Sequence, residues 1–96
     1  MRMRKDISIP IDILTKFDGK ANYYYLFACI LDNVNRKGIC DLSIRSLSAV
    51  SNLSVKVVRN AIDFMQRKEL INIYVPRDHT CTLINICKFE LYYNKK

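Results

Sequence analysis

The chain has 96 residues, half of them hydrophobic, with two glycines, two prolines and a formal charge of +7. This suffices for one modest core, leaves no Gly/Ser- or Pro-rich linker, and predicts a single domain over residues 1–96. The excess of Lys and Arg points to a polyanionic partner, nucleic acid before a membrane surface, because no basic amphipathic helix stands apart from what the core needs.

Residues 1–6 carry Arg2, Arg4 and Lys5 and are expected as a flexible basic arm. Asp6, Pro10 and Asp12 interrupt the isoleucines that follow, well short of a signal peptide or membrane span, so a cytoplasmic protein is expected. The first helix is predicted over residues 20–35, with Tyr23, Leu26, Phe27, Ile30, Leu31 and Val34 on one face. Tyr25 points away from that face, while Tyr24 and Cys29 flank it. Two readings stand for this cluster: it touches a partner, or residues 7–17 fold back over it to bury Ile9, Ile11, Ile13 and Leu14. Arg36, Lys37 and Gly38 are expected to end the helix, cations at the negative end of its dipole and glycine in the left-handed cap.

A short strand is predicted at residues 39–42. Ser43 then caps a short helix bearing Ile44, Leu47 and Val50, which ends near Val50. Ser51, Asn52 and Leu53 form a turn, and Ser54 caps a third helix over residues 55–68. At 100° per residue, Val55, Val57, Val58, Ala61, Ile62, Phe64 and Met65 fall on one half of it. Lys56, Arg59, Asn60, Asp63, Gln66 and Arg67 fall on the other half, with Lys68 the one polar residue on the apolar side. Residues 69–75 and 80–87 are β-rich and flank the turn residues Pro76, Arg77, Asp78 and His79, predicting a β-hairpin. Residues 90–96 read as a polar, partly ordered tail.

The predicted fold is thus mainly α with a small β-hairpin: a winged helix-turn-helix of three core helices plus an antiparallel wing. In that layout the third helix enters the major groove of DNA, and Leu53 fills the angle behind it. Arg59 and Asn60 can make bidentate contacts to guanine and adenine edges, and Lys56 can reach a base or a phosphate. Asp63 argues against a purely phosphate-binding face. It either orients Arg59 or Arg67 across one helical turn or accepts from a cytosine amino group. Ser43, Arg45, Ser51 and Ser54 are placed to meet flanking phosphates, though capping alone also explains the serines. Arg77 and His79 are the wing-tip residues, with Arg77 the stronger DNA contact.

Cys29, Cys40, Cys81 and Cys87 show no CxxC spacing and accompany a single histidine, so buried thiols without zinc or any other cofactor are expected. A glycine loop for phosphate and an acid–base pair are both missing, which argues against an enzyme.

The stretch CDLSIRSLSAVSNLSVKVVRNAIDFMQRKELI, with serines at both caps and Val-Arg-x-Ala-Ile in the third helix, resembles the winged-helix N-terminal domains of phage and plasmid replisome organisers of the DnaD-like type. The strand LINICKFELYY is similar to the TIITICNYDSY strand and tail of that group. The two segments cover about two thirds of the chain, and the first pattern is shared with many winged-helix transcription regulators. The resemblance implies a double-stranded DNA-binding role in replication initiation or transcription control, with a homodimer or a replication protein as further partner. Many members of that group continue past a linker into a second domain, so a sequence ending at Lys96 reads either as a fragment or as a stand-alone domain. The alternative function is a winged-helix protein-interaction module that uses the first helix and hairpin. Charge gathered on the third helix and wing favours the DNA reader, whereas an exposed apolar patch around Tyr24, Tyr25 and the C-terminal tyrosines would favour the module.

Overall fold

The computed structural model describes residues 8–75 and 83–92. It is mainly helical, with a small three-stranded antiparallel sheet. The elements are α1 (Ile11–Leu14), α2 (Ala21–Leu31), β1 (Ile39–Cys40), α3 (Ile44–Ser51), α4 (Val55–Arg67), β2 (Ile71–Tyr74) and β3 (Leu83–Ile86), with 3-10 turns at Thr15–Phe17 and Phe89–Leu91. Among the described residues no helix is long and apolar enough to cross a membrane.

The central element is α2. Its second half, Leu26 to Leu31, is buried all round, so Cys29 and Ala28 belong to the core rather than to its flank. Helix α2 packs against α3 and α4, and α4 packs on β2. The fold-back of the N-terminal segment holds for Ile13 and Phe17, which are buried; the Phe17 ring meets Tyr24 edge-on at 5.6 Å and Phe27 at 5.5 Å. It fails for Ile11, which is 76% exposed, and Leu14 is exposed as well. Tyr24 is therefore half-covered from within, and Cys29 is closed to any partner.

Helix α2 stops four residues before the predicted end, although its apolar period runs on to Val34. The Asn33 side chain donates to the Cys29 carbonyl at 2.8 Å, and the Asn33 N–H turns to Ile30 instead, so the helical ladder closes there. Asn35 then builds a separate turn, its side-chain oxygen accepting from the N–H groups of Lys37 at 2.8 Å and Ile39 at 3.1 Å. Gly38 serves this turn and not the helix end. It has φ +78°, and a Cβ there would lie 2.5 Å from the Phe89 ring.

The sheet order is β1-β3-β2, so the expected short strand joins the hairpin instead of standing alone. Ile71 pairs with Ile86 and Ile73 with Ile84, while Cys40 pairs with Ile84 on the other side. Cys40, Ile71, Ile84 and Ile86 face the core, and Asn72 and Asn85 sit opposite each other on the exposed face. Strand β2 begins at Ile71 and not at residue 69 because Glu69 takes a left-handed conformation (φ 60°) and closes α4. The Leu70 N–H reaches the Met65 carbonyl and the Glu69 N–H the Gln66 carbonyl, the paired bonds of a Schellman cap with glutamate where glycine is usual.

Tyr92 departs from the expected polar tail. It is buried, its ring stands edge-on to Phe27 at 5.5 Å, and its carbonyl accepts from the Ser8 N–H at 2.9 Å. Burial pushes its phenol up to about 12. Cys29, Cys40 and Cys87 form no disulfide among the described residues, and burial is the main cause that raises the first two above the ordinary thiol range, which keeps them protonated.

Candidate nucleic-acid interface

Helices α3 and α4 meet at a turn over residues 52–54, and hydroxyls fix its geometry. Asn52 ends α3 in the left-handed region (φ 61°), where a short amide side chain is tolerated. The Ser51 hydroxyl donates to the Leu47 carbonyl at 2.6 Å and accepts from the Leu53 N–H at 3.3 Å. The Ser48 hydroxyl donates to the Leu53 carbonyl from the same helix. Leu53 is held between these bonds, half-buried against the core. Ser51 is thereby lost as a phosphate contact: it is 2% exposed, and its hydroxyl is already engaged by the Leu47 carbonyl and the Leu53 N–H.

Ser43 and Ser54 cap their helices as expected, accepting from the N–H groups of Ser46 and Val57 at 3.1 Å each. Neither helix has an acid in its first turn. The second residue of each is a cation instead, Arg45 in α3 and Lys56 in α4, both exposed. A helix start carries a partial positive charge, so cations there oppose folding electrostatics slightly and make both helix starts attractive to anions.

Helix α4 partitions as its period requires. Val58, Ala61, Ile62, Phe64 and Met65 are buried, whereas Lys56, Arg59, Asn60, Asp63, Gln66 and Arg67 are all exposed. Val57 is half-buried, and Val55, expected inside, is 37% exposed at the first position of the helix. At 13 residues α4 is roughly 20 Å long, and an α-helix of ordinary diameter matches the width of the B-DNA major groove. Of the two partners open to Asp63, the structure selects Arg67, with Nε to Oδ2 at 3.2 Å, which leaves Arg59 unclaimed by that carboxylate. Lys68 turns away from this face: its ammonium lies 3.1 Å from Asp18 and 5.6 Å from the centre of the Phe64 ring. Arg77 and His79, the wing-tip candidates, lie outside the described residues, as do Cys81 and the arm bearing Arg2, Arg4 and Lys5.

A second surface involves the N-terminal segment and α2. A shallow groove of about 220 Å³ is lined by Leu14, Phe17, Gly19, Lys20, Ala21 and Tyr24. Tyr25 stands half-exposed on the same helix, its phenol raised first by repulsion from the negative charge that Cys29 carries once ionised and then by burial. Comparison with known proteins finds no matching protein family, no matching curated protein and no matching solved structure.

Proposed function

We propose that this chain is a winged helix-turn-helix domain that binds double-stranded DNA, with α4 in the major groove, in phage- or plasmid-type replication initiation or in transcription control. The observation that carries this reading is the exposed polar half of α4, where Lys56, Arg59 and Asn60 combine charge with base-reading chemistry. The hydroxyl-bonded turn and the cations at both helix starts support it. Arg45 and the Ser54 cap contact phosphates beside the groove, Lys56, Arg59, Asn60 and Asp63 face base edges, Arg67 extends the contact along α4, and Arg77 serves on the wing.

The role is non-enzymatic, cytoplasmic and independent of cofactors. The groove of Leu14, Phe17 and Tyr24, beside the exposed Ile11, favours a second reading in which that side binds protein: a second copy or a replication partner. The two roles are compatible, because the surfaces belong to different helices.

Binding to duplex DNA across a salt series tests the proposal. Affinity is expected to fall steeply, with a log–log slope of about 0.9 per phosphate contacted, and Arg45→Ala is expected to lower that slope by roughly one unit on all sequences. Arg59→Ala and Asn60→Ala are each expected to cost on the order of 1–3 kcal/mol on a selected site and far less on random DNA. A flat salt response, or an unchanged affinity in all three variants, rejects the DNA reader and leaves the interaction module.

A further inference from the structure

We infer that Val55 reads the 5-methyl group of a thymine, so that the target site carries a thymine at a fixed position facing the start of α4. This rests on the DNA-reading role proposed above. Two large apolar side chains of the α3–α4 unit remain exposed, Val50 at 52% and Val55 at 37%. Folding does not call for valine at position 55. Ser54 already caps the helix, the buried stripe begins at Val58, and a β-branched residue is a weaker helix former than the unbranched alternatives.

Its placement supplies the missing reason. Val55 lies one helical turn before Arg59 and borders the polar half that holds Lys56, Asn60 and Asp63. It is thus an apolar spot on the rim of a cationic, hydrogen-bonding face. The major-groove edge of a base pair offers donors, acceptors and one apolar group, the thymine methyl, and the N-terminal residues of a groove-bound helix are those that meet base edges. An exposed valine among such residues complements that methyl and nothing else on the groove floor. Val50 lies on α3, the helix that crosses the backbone in this arrangement, and is not assigned a base.

The test replaces thymine by deoxyuridine, which removes the methyl and leaves pairing, charge and backbone unchanged. A preferred duplex is selected from a random pool, each thymine is replaced in turn, and binding of the wild-type chain and of Val55→Ala is measured. At one position the wild-type chain is expected to lose about fourfold in affinity, the scale for burying one methyl-sized group, while Val55→Ala binds the two duplexes equally. Circular dichroism and thermal melting check that Val55→Ala is folded. If no single thymine matters, or if the methyl is worth as much to Val55→Ala as to the wild type, this inference is overturned and the DNA reader stands. If the wild-type chain binds no duplex at low salt, both fall together.

Discussion

The two helical halves of this small domain build one core in different ways, α2 by burying its second half all round and α4 by a single apolar stripe, and they present different surfaces. Over residues 43–68, Arg45, Lys56, Arg59, Arg67 and Lys68 stand against the single acid Asp63. Over residues 8–41, Lys16, Lys20, Arg36 and Lys37 are matched by Asp12, Asp18, Asp32 and Asp41. Within these two stretches the cationic excess is confined to the α3–α4 side. The neutral half instead carries the exposed Ile11 and the aromatic groove. Net charge alone does not say where a polyanion would be attracted; its distribution is what makes the α3–α4 side the proposed one and leaves the other side to packing or to a protein.

The strongest way to break this contrast is to damage the neutral half and ask whether the cationic half notices. Phe17 is buried among Tyr24, Phe27 and Phe64, the last of these at 6.1 Å on the inner side of α4. Phe17→Ala is expected to cost about 3–5 kcal/mol in unfolding free energy, read from denaturant titration. DNA affinity measured at low temperature, where the variant is still folded, should change little. A large loss of affinity by folded Phe17→Ala would mean that the ring fixes the aim of α4, and that the halves are not independent.

Tyr92 offers a smaller and conditional version of the same test. Its phenol is pushed up to about 12 from an ordinary value near 10, so the folded state holds the proton more tightly than the unfolded chain does. The stabilising contribution is complete below about pH 10 and disappears as the pH rises through 12, on the order of 2 kcal/mol in all. Other groups titrate in the same range, so the measurement is the difference between the wild-type chain and Tyr92→Phe. The variant should lose less stability between pH 9 and pH 12. Equal losses would show that Tyr92 ionises as freely in the fold as outside it.

The same contrast separates what was legible in the sequence from what was not. Helix α4 was readable because each of its polar residues opposes an apolar one at helical spacing and a serine opens it, so local and tertiary preferences agree. Around α2 they disagree. Its apolar period continues to Val34, and only the competition of the Asn33 side chain for the Cys29 carbonyl decides that the helix ends at Leu31. Glu69 likewise reads as the start of a strand until its backbone is seen closing α4. Tyr92 lay in a segment whose composition is polar, and its burial depends on Phe27, which is distant in sequence. At the candidate interface, the exposed residues of α4 followed from period alone. Ser51 did not, because a hydroxyl at a helix end can face a phosphate or a buried carbonyl, and here the Leu47 carbonyl and the Leu53 N–H claim it.

The finest test stays on the cationic half and concerns its one acid. Asp63 and Arg67 form an i, i+4 pair with both side chains largely exposed, a geometry worth only about 0.3–0.5 kcal/mol, so Asp63→Asn should barely move the unfolding midpoint. Its effect on binding distinguishes the two tasks open to the carboxylate. If Asp63 only holds Arg67, the substitution frees a guanidinium and removes a negative charge from the face that meets phosphate. Affinity for every duplex then rises slightly, and most at low salt, where exposed charges are least screened. If Asp63 also accepts from a cytosine amino group, the same variant loses affinity on the selected site alone and tolerates other bases at that position. The ion pair to Arg67 engages one carboxylate oxygen and leaves lone pairs free, so it does not bar the second task. With Arg67 in place and Arg59 unclaimed, the expected result is the first: a small, sequence-independent gain measured by titration on selected and random duplexes in parallel. A loss restricted to the selected site would move Asp63 from positioning Arg67 to reading a base.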